Sequence, residues 1–357
     1  MSSIAIAPEV NEAVAEEARR GLTSTPKTLA PWLFYDELGS TLFEQITTLP
    51  EYYLTRTERD LFTTHAEEIF HLLGTGSLRN TPSITIIELG AGTASKTGIL
   101  LRALTRLQPE VLYQPIDISP TALDEARETI ERTILSVTVR PQIANYITEP
   151  ITLDREPDSK ILALYIGSSI GNFSPAESRA ILDNLRAQLQ PGDARDVLRN
   201  LRAQLLPGDT LLLGTDLAPL NGVSSSSKDE ATLLAAYNDD AGVTAAFNLN
   251  ILARLNRELG ANFNLNRFIH KAIWNSEESR IEMHLESLIS QRVHIPENAS
   301  GPAFTLDFAV GESIHTENSY KFTPARVERL LTSSGFTLTR QWQDPQHFFA
   351  VNLATAV

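Results

Sequence analysis

Between residues 83 and 215, short apolar runs rich in β-branched residues alternate with segments whose apolar positions follow the helical period. We predict five strands in this region, namely Ser83–Leu89, Val111–Ile116, Ser136–Ile143, Lys160–Ile166 and Thr210–Gly214. Strands that alternate with helices form a parallel sheet with helices on both faces. The pattern therefore predicts a doubly wound α/β domain.

Helix start signals support this alternation. Ser119 precedes Pro120 and predicts a helix over Thr121–Thr133, and Ser174–Glu177 combines a capping box with proline at the first helical position. Each signal follows a predicted strand, as in a doubly wound sheet.

The C-terminal segment continues the same pattern. A helix is predicted from Thr323 and Pro324 to about Ser334, and Gly335 ends it. Two further strands follow, at Thr337–Trp342 and Phe348–Leu353. We expect them to complete the sheet.

The pattern changes between residues 216 and 300, where a serine-rich loop, Ser224–Ser227, precedes long helical segments. Four apolar residues spaced four apart share one helical face, and Gly260 ends that helix. They are Phe247, Ile251, Leu255 and Leu259. Since the first 60 residues also read as mostly helical, we predict that residues 1–60 and 216–300 form a second, mostly helical domain. Residues 61–215 and 301–357 then form the sheet domain.

One internal repeat precedes the fifth strand: the segment Asn184–Asp193 recurs sixteen residues later as Asn200–Asp209 with one change. Two copies are too few for a repeat architecture, which needs at least three units. We interpret the repeat as a tandem duplication of one helix and its turn, without a chemical role.

Composition narrows the class of partner. The 357 residues include 30 Lys and Arg against 44 Asp and Glu, a net charge of −14 that repels phosphate backbones and anionic lipid surfaces. Without cysteine there is no disulfide, thiolate nucleophile or cysteine-based metal site. That net charge predicts no nucleic-acid and no membrane partner. The histidines include no pair with metal-ligand spacing, so we expect no metal. Residues 1–19 do not read as a signal peptide, so we expect the protein in a reducing cytoplasm. We also expect a monomer.

The loop Glu88–Lys96 after the first strand carries the clearest chemical signal. Gly90 and Gly92 let the backbone approach a ligand closely, and Asp117 ends the second strand, where a carboxylate can bind ribose hydroxyls. Nicotinamide dinucleotides and S-adenosylmethionine both fit this geometry. A dinucleotide site would place a third glycine at Ser95. The acidic Glu88 and the later Gly167–Asn172 turn also favour S-adenosylmethionine.

These motifs and others along the chain resemble those of the S-adenosylmethionine-dependent histidine Nα-methyltransferases of ergothioneine biosynthesis. The resemblance runs nearly end to end. Its segments are Phe34–Ser40, Leu49–Arg56, Glu88–Lys96, Gly167–Asn172, Ala236–Val243, Leu255–Ala261, Arg280–Met283 and Thr316–Ser319. It implies a Rossmann-like class I methyltransferase sheet that binds S-adenosylmethionine, together with a substrate-binding domain.

The resemblance also implies a role for individual residues. The cofactor contacts would be Gly90, Gly92, Lys96, Asp117 and Asn145, where Asn145 replaces the family's usual Asp for the adenine amino group. The groups around the α-amine and α-carboxylate of the substrate would be Tyr35, Tyr52, Asn172 and Tyr237, with Tyr35 and Tyr52 as orienting groups for catalysis. Glu317 and Ser319 would contact the imidazole of L-histidine, and Met283 would line its pocket. The implied product is Nα,Nα,Nα-trimethylhistidine, or hercynine.

Alternative interpretations remain open from the sequence. A related enzyme could methylate another α-amine, such as tryptophan or a prenylated tryptophan, although an indole pocket would not favour Glu317. A NAD-dependent oxidoreductase or a non-catalytic relative would keep the same loop. Without the resemblance, Tyr52 reads as an ordinary helix or turn residue, Glu317 as a solvated strand residue and Met283 as core filling.

Overall fold

The computed structural model describes residues 8–74, 83–146, 151–156, 158–173, 201, 204–219, 228–298 and 301–357. The helix predicted to start at Ser174–Glu177, the loop Ser224–Ser227 and most of the duplicated segment lie outside these residues. Within the described ranges, no helix combines the length and the apolar character that crossing a membrane requires.

The described residues contain eight α-helices. They are α1 (Pro8–Leu22), α2 (Glu37–Thr48), α3 (Tyr53–Leu72), α4 (Thr97–Leu104), α5 (Pro120–Thr133), α6 (Glu230–Ala235), α7 (Val243–Leu259) and α8 (Pro324–Ser333). The predicted caps of α5 and α8 are confirmed, since Ser119 and Thr323 accept hydrogen bonds from the backbone N–H groups of Ala122 and Arg326. Helix α7 ends at Gly260, as predicted, with a positive φ of 66°.

Fourteen strands lie in the same described ranges. They are β1 (Lys27–Thr28), β2 (Ile84–Leu89), β3 (Val111–Asp117), β4 (Val137–Val139), β5 (Gln142–Ile143), β6 (Lys160–Tyr165), β7 (Thr210–Asp216), β8 (Phe268–Asn275), β9 (Arg280–Ser287), β10 (Gln291–Ile295), β11 (Phe304–Phe308), β12 (Ser313–Tyr320), β13 (Phe336–Gln343) and β14 (Phe349–Ala356). The single strand predicted over Ser136–Ile143 is two short strands, because Pro141 has no N–H group to continue the ladder.

The chain divides into two compact units. We call residues 53–229 and 320–357 the sheet unit, and residues 1–52 and 230–319 the accessory unit. These boundaries differ from the predicted domain limits at 60, 215 and 300. Helix α3 belongs to the sheet unit, whereas residues 301–319 belong to the accessory unit because β12 pairs with β1 and β9 there.

The sheet unit contains an eight-stranded sheet in the order β13-β14-β7-β6-β2-β3-β4, with β5 also paired to β3. Five neighbouring strands of this order, β7, β6, β2, β3 and β4, are parallel to one another. Strand β14 runs antiparallel to both β7 and β13. Strands β2 and β7 are buried along their whole length, as expected for a sheet covered on both faces. The predicted Rossmann-like sheet, including the two C-terminal strands, is confirmed.

The accessory unit is not mostly helical, and that part of the prediction is wrong. It contains a four-stranded sheet in the order β1-β12-β9-β8 and a separate antiparallel pair, β10 and β11. Burial alternates along β9, as in a strand with one buried face, and this period of two was missed in favour of the helical period. The predicted apolar face of α7 is confirmed, because its four residues are all buried and the helix packs on β8 and β9.

Candidate active site

The loop after β2 is held against the end of β3 by backbone hydrogen bonds. Gly90 and Gly92 have positive φ angles of 67° and 52°, a conformation that glycine adopts without strain. The N–H of Gly90 donates to the carbonyl of Ile116 at 2.8 Å, and the N–H of Gly92 donates to Oδ2 of Asp117 at 2.9 Å. A Cβ on Gly92 would meet no atom within 4 Å. The loop therefore leaves open space beside the Asp117 carboxylate.

Asp117 is poised to accept further hydrogen bonds. Its Oδ1 accepts the N–H of Ser119 at 2.9 Å, its Oδ2 accepts that of Gly92, and the N–H of Ile118 also bonds to this carboxylate. Since two carboxylate oxygens offer about four lone-pair sites, acceptor capacity remains. Burial raises the pKa of Asp117 from its ordinary value, although these backbone N–H groups oppose the change. A pair of ribose hydroxyls is a ligand that this carboxylate can bind.

Asn145 lies at the same edge of the sheet, two residues after β5. Strand β5 pairs with the end of β3, and the N–H of Ala144 donates to the carbonyl of Asp117 at 3.0 Å. The next residue, Tyr146, was not predicted from the sequence. Its hydroxyl would lie 3.1 Å from a Cβ on Gly90, and burial raises its pKa to about 12, so the phenol stays protonated. Tyr146, the residue after Asn145, thus lies against the glycine loop.

Glu88 supports the loop from within the core. Its carboxylate accepts hydrogen bonds from Thr97 at the start of α4, at 2.7 Å, and from Tyr113 in β3. Burial raises the pKa of Glu88 from 4.5 to about 7. Glu88 therefore ties β2, β3 and α4 together beneath the loop.

This pKa predicts how stability depends on pH. Because the folded-state pKa of Glu88 lies above its unfolded value, stability is lost as pH rises from 4.5 to 7. The Glu88→Gln variant does not titrate, so its free energy of unfolding should rise relative to wild type by roughly 3 kcal/mol over this window. Urea denaturation of both proteins at several pH values measures the difference. A difference that does not change with pH would contradict this prediction.

Lys96, at the start of α4, is ion-paired with a residue that the sequence reading missed. Glu58 of α3 is fully buried, contacts the Lys96 ammonium group and accepts the N–H of Gly167 at 2.9 Å. Gly214 in β7 makes room for this carboxylate, because a Cβ there would collide with Oε1 of Glu58. Glu58 therefore joins the cofactor loop to the turn that follows β6.

Asn172 lies in this turn, at the carboxyl end of β6. The turn passes through positive φ at Gly167 and Ser168 before the 3-10 helix Ser169–Asn172. The Ser168 hydroxyl accepts the N–H of Asp216 at 2.8 Å and so fixes the turn to the end of β7. The partly exposed Asn172 thus follows a rigid backbone segment.

In the accessory unit, four of the predicted residues belong to one cluster. Tyr35 packs edge-on against Phe43, Phe43 against Tyr52, and Tyr52 against Tyr237, with ring centroids 5.7, 6.4 and 6.3 Å apart. The Tyr237 hydroxyl and Ser319 Oγ are 2.7 Å apart, and either can donate. The structure therefore brings Tyr35, Tyr52, Tyr237 and Ser319 together.

Strand β12 explains why Glu317 is buried. Burial alternates along the strand up to Thr316, but Thr316 and Glu317 are both buried, and the alternation resumes one residue out of step. Glu317 and Ser319 are thus buried, whereas the side chains of the partly exposed His315 and Asn318 hydrogen-bond to each other at 3.0 Å. Only 9% of the Glu317 surface is exposed, so it is not a solvated strand residue.

Met283 is buried on β9, and its carbonyl lies 3.0 Å from the Thr316 hydroxyl of β12. The resemblance assigns imidazole recognition to Met283, Glu317 and Ser319, and all three are buried residues of these neighbouring strands. Among the described residues, no group of three or more acidic or histidine side chains is arranged to hold a metal ion.

Comparison with known proteins identifies a family. The family described as "Histidine-specific methyltransferase, SAM-dependent" matches residues 14–356. A histidine N-alpha-methyltransferase of Mycolicibacterium smegmatis is 38% identical over 344 residues, which cover 96% of this chain and 95% of the relative. The corresponding protein of Mycobacterium tuberculosis is 36% identical, with 96% and 94% covered. A 4-dimethylallyltryptophan N-methyltransferase of Claviceps purpurea is 29% identical over 180 residues, which cover 49% of this chain and 50% of the relative.

Proposed function

Because this chain belongs to the histidine-specific, S-adenosylmethionine-dependent methyltransferases, we propose that it methylates the α-amino group of L-histidine. The product we propose is Nα,Nα,Nα-trimethylhistidine, formed by three successive transfers as a step of ergothioneine biosynthesis. Ergothioneine biosynthesis proteins of Neurospora crassa and Schizosaccharomyces pombe, 27% and 28% identical over 332 and 317 residues, support this placement.

The observation that carries the proposal is the buried carboxylate of Glu317 beside Ser319 on β12. A carboxylate oxygen can accept the N–H of an imidazole, and an apolar side chain has no such donor to offer. We assign Glu317 and Ser319 to the imidazole ring and Met283 to the apolar wall of its pocket. This assignment favours histidine over substrates with apolar side chains.

The sheet unit supplies the residues that we assign to S-adenosylmethionine. We assign the carboxylate of Asp117 to the ribose hydroxyls, and the open space at Gly92 admits the ligand. We assign Asn145 to the adenine amino group through its amide oxygen, and Gly90 and Lys96 to the remaining contacts. S-adenosylmethionine, when bound, supplies a methyl group activated by a sulfonium.

The protein's own task is mainly to orient the amine. Methyl transfer needs the nitrogen lone pair aligned with the S–CH3 bond, so correct positioning supplies much of the rate. We assign Tyr35 and Tyr52 to this orientation, since their rings are fixed by Phe43. We assign Asn172 and Tyr237 to the substrate carboxylate, to which an amide and a phenol can donate without adding charge. The α-amine must be neutral before each transfer, and a nearby sulfonium lowers its pKa.

Ligand binding tests the class of reaction before turnover is measured. S-adenosylhomocysteine should raise the melting temperature, whereas NAD should not. With S-adenosylhomocysteine present, L-histidine should raise it further and L-tryptophan should not. Stabilisation by NAD alone would support an oxidoreductase and contradict the proposal, and stabilisation by tryptophan rather than histidine would contradict the assignment of Glu317.

Asn145 provides a quantitative test of the adenine assignment. A charged acceptor makes a stronger hydrogen bond than an amide oxygen, so Asn145→Asp should tighten binding of S-adenosylhomocysteine by roughly 5-fold, and Asn145→Ala should weaken it. Calorimetric titration of the three proteins measures these changes. Unchanged binding by the Ala variant, or an Asp variant that binds more weakly than the Ala variant, would overturn the assignment.

We also propose that the protein works as a monomer in the cytoplasm. The absence of cysteine is compatible with a reducing compartment. Light scattering of the purified protein, with and without L-histidine and S-adenosylhomocysteine, tests the monomer.

A further inference from the structure

A buried hydrogen-bond network in the accessory unit connects the backbone of Tyr237 with strands β9 and β12. Asn248 of α7 is fully buried and His270 of β8 is nearly so. The amide nitrogen of Asn248 lies 2.8 Å from Nδ1 of His270, and Nε2 of His270 lies 2.8 Å from the carbonyl oxygen of Tyr237. Neither side chain belongs to the groups assigned above to substrate or cofactor.

Asn248 also bonds to strands β9 and β12. Its amide nitrogen donates to the carbonyl of His284 at 3.0 Å, and its amide oxygen accepts from the Thr316 hydroxyl at 2.8 Å. The same hydroxyl lies 3.0 Å from the carbonyl of Met283. The side chain of Asn248 therefore joins β9 and β12 at the point where the alternation of β12 is interrupted.

The protons of this network have one consistent arrangement. Carbonyl oxygens only accept, so the amide nitrogen of Asn248 must face His284 and Nε2 of His270 must carry the proton that faces Tyr237. The second hydrogen of the Asn248 amide then points at Nδ1 of His270, which has to be unprotonated. His270 is thus a neutral imidazole, and burial favours this form by lowering its pKa.

The network contacts the residues that surround the proposed histidine site without reaching that site itself. It bonds directly to the backbone carbonyl of Tyr237, and Thr316 is the residue before Glu317. We propose that Asn248 and His270 are positioning residues for substrate recognition, holding Tyr237, Met283 and Glu317 in the arrangement that accepts L-histidine. This inference rests on the proposed function of those three residues.

Recognition by hydrogen bonds tolerates only small displacements of the groups that bind the substrate. A displacement of about 1 Å at a binding group can cost as much as 100-fold in rate. Tyr237 lies in the short connection between α6 and α7, where a donor to its carbonyl oxygen limits its movement. His270 supplies that donor from a strand, which is a more rigid support than a loop.

Steady-state kinetics of His270 variants test the proposal. His270→Phe keeps a ring but has no hydrogen-bonding group, and we expect it to raise KM for L-histidine by roughly 10-fold while KM for S-adenosylmethionine changes by less than about 2-fold. His270→Gln can place an amide N–H near the position of Nε2, so it should recover part of the loss. Recovery by glutamine is not expected of a side chain that only fills space.

Two further variants keep the test independent of folding. Thr316→Val removes the hydroxyl that bonds to Asn248 while preserving shape, and we expect it to raise KM for L-histidine in the same selective way. Asn256→Ala is the matched control, because it removes two hydrogen bonds between Asn256 and Phe263 of the same unit, away from the network. It should lower the melting temperature and leave both KM values unchanged.

The outcomes separate this inference from the proposed function. If the wild-type protein does not methylate L-histidine, the proposed function fails and this inference fails with it. If it does, and His270→Phe and Thr316→Val change both KM values equally or behave like Asn256→Ala, the network only stabilises the fold and the inference alone is overturned.

Discussion

Replacing Glu317 by alanine is expected to lower kcat/KM for L-histidine by roughly 100-fold or more while changing the affinity for S-adenosylmethionine little. Glu317 is 9% exposed, and its carboxylate is the acceptor that we assign to an imidazole N–H. Without it, the imidazole would be buried with an unpaired donor, which costs much more than the loss of a hydrogen bond in water. Glu317→Gln keeps an acceptor oxygen without the charge and should lose less.

A matched control is available on the adjacent strand. Glu286 of β9 is partly exposed and pairs with Lys271 at 2.9 Å, on the face of the strand opposite to Met283. Glu286→Ala should leave kcat/KM for histidine unchanged. Steady-state kinetics for both substrates, with calorimetry of S-adenosylhomocysteine binding, measures the effect. Equal losses for histidine and for the cofactor in Glu317→Ala would instead assign Glu317 a role in folding.

The second large effect is expected at Glu58, which holds Lys96 and the Gly167 turn. Glu58→Gln retains an acceptor for the Gly167 N–H but leaves the Lys96 ammonium without its counter-charge. Breaking a buried ion pair from one side typically costs about 3–5 kcal/mol of stability. We expect a lower melting temperature and binding of S-adenosylhomocysteine weakened by roughly 10-fold or more, because the cofactor loop and the turn lose their shared support.

Gly214→Ala tests the same support without removing any functional group. Its Cβ would occupy the space of the Glu58 carboxylate and should displace it, giving the same preferential loss of cofactor affinity. Glu67→Gln on the same helix is the control, because Glu67 is 73% exposed and its contact with Arg106 is a surface pair. Unchanged cofactor affinity in a folded Glu58→Gln protein would refute this role.

The cofactor half of the molecule could be predicted from the sequence because its signals are local. Strands β2 and β7 are continuous apolar runs, and Gly90, Gly92 and Asp117 lie where strand-to-helix turns place ligand-binding groups. The contact of Glu58 with Lys96 could not be predicted, since these residues are far apart in the chain and the predicted boundary at residue 60 placed Glu58 in the other domain. One signal was present: Glu58 takes a place on α3 where the spacing of Leu54 and Leu61 leads one to expect an apolar side chain.

The accessory unit was harder to predict because its strands are half-buried. Strand β9 alternates buried and partly exposed residues, which a search for helical spacing passes over. The interruption of the burial pattern at Thr316 and Glu317 has no sequence signal that we recognise, yet Glu317 is buried there. Asn248 offers a weaker hint, as a polar residue beside the apolar stripe of α7. Its partners lie on three other segments of the chain, which local pattern analysis does not reach.

The most direct measurement is a mass-resolved assay of the purified protein with S-adenosylmethionine and each of the twenty amino acids in turn. We predict a histidine product heavier by three methyl groups, three equivalents of S-adenosylhomocysteine for each product molecule, and little turnover with the other amino acids. Turnover confined to a different amino acid would contradict the assignment of Glu317 and Ser319, and no turnover despite cofactor binding would contradict the proposed reaction.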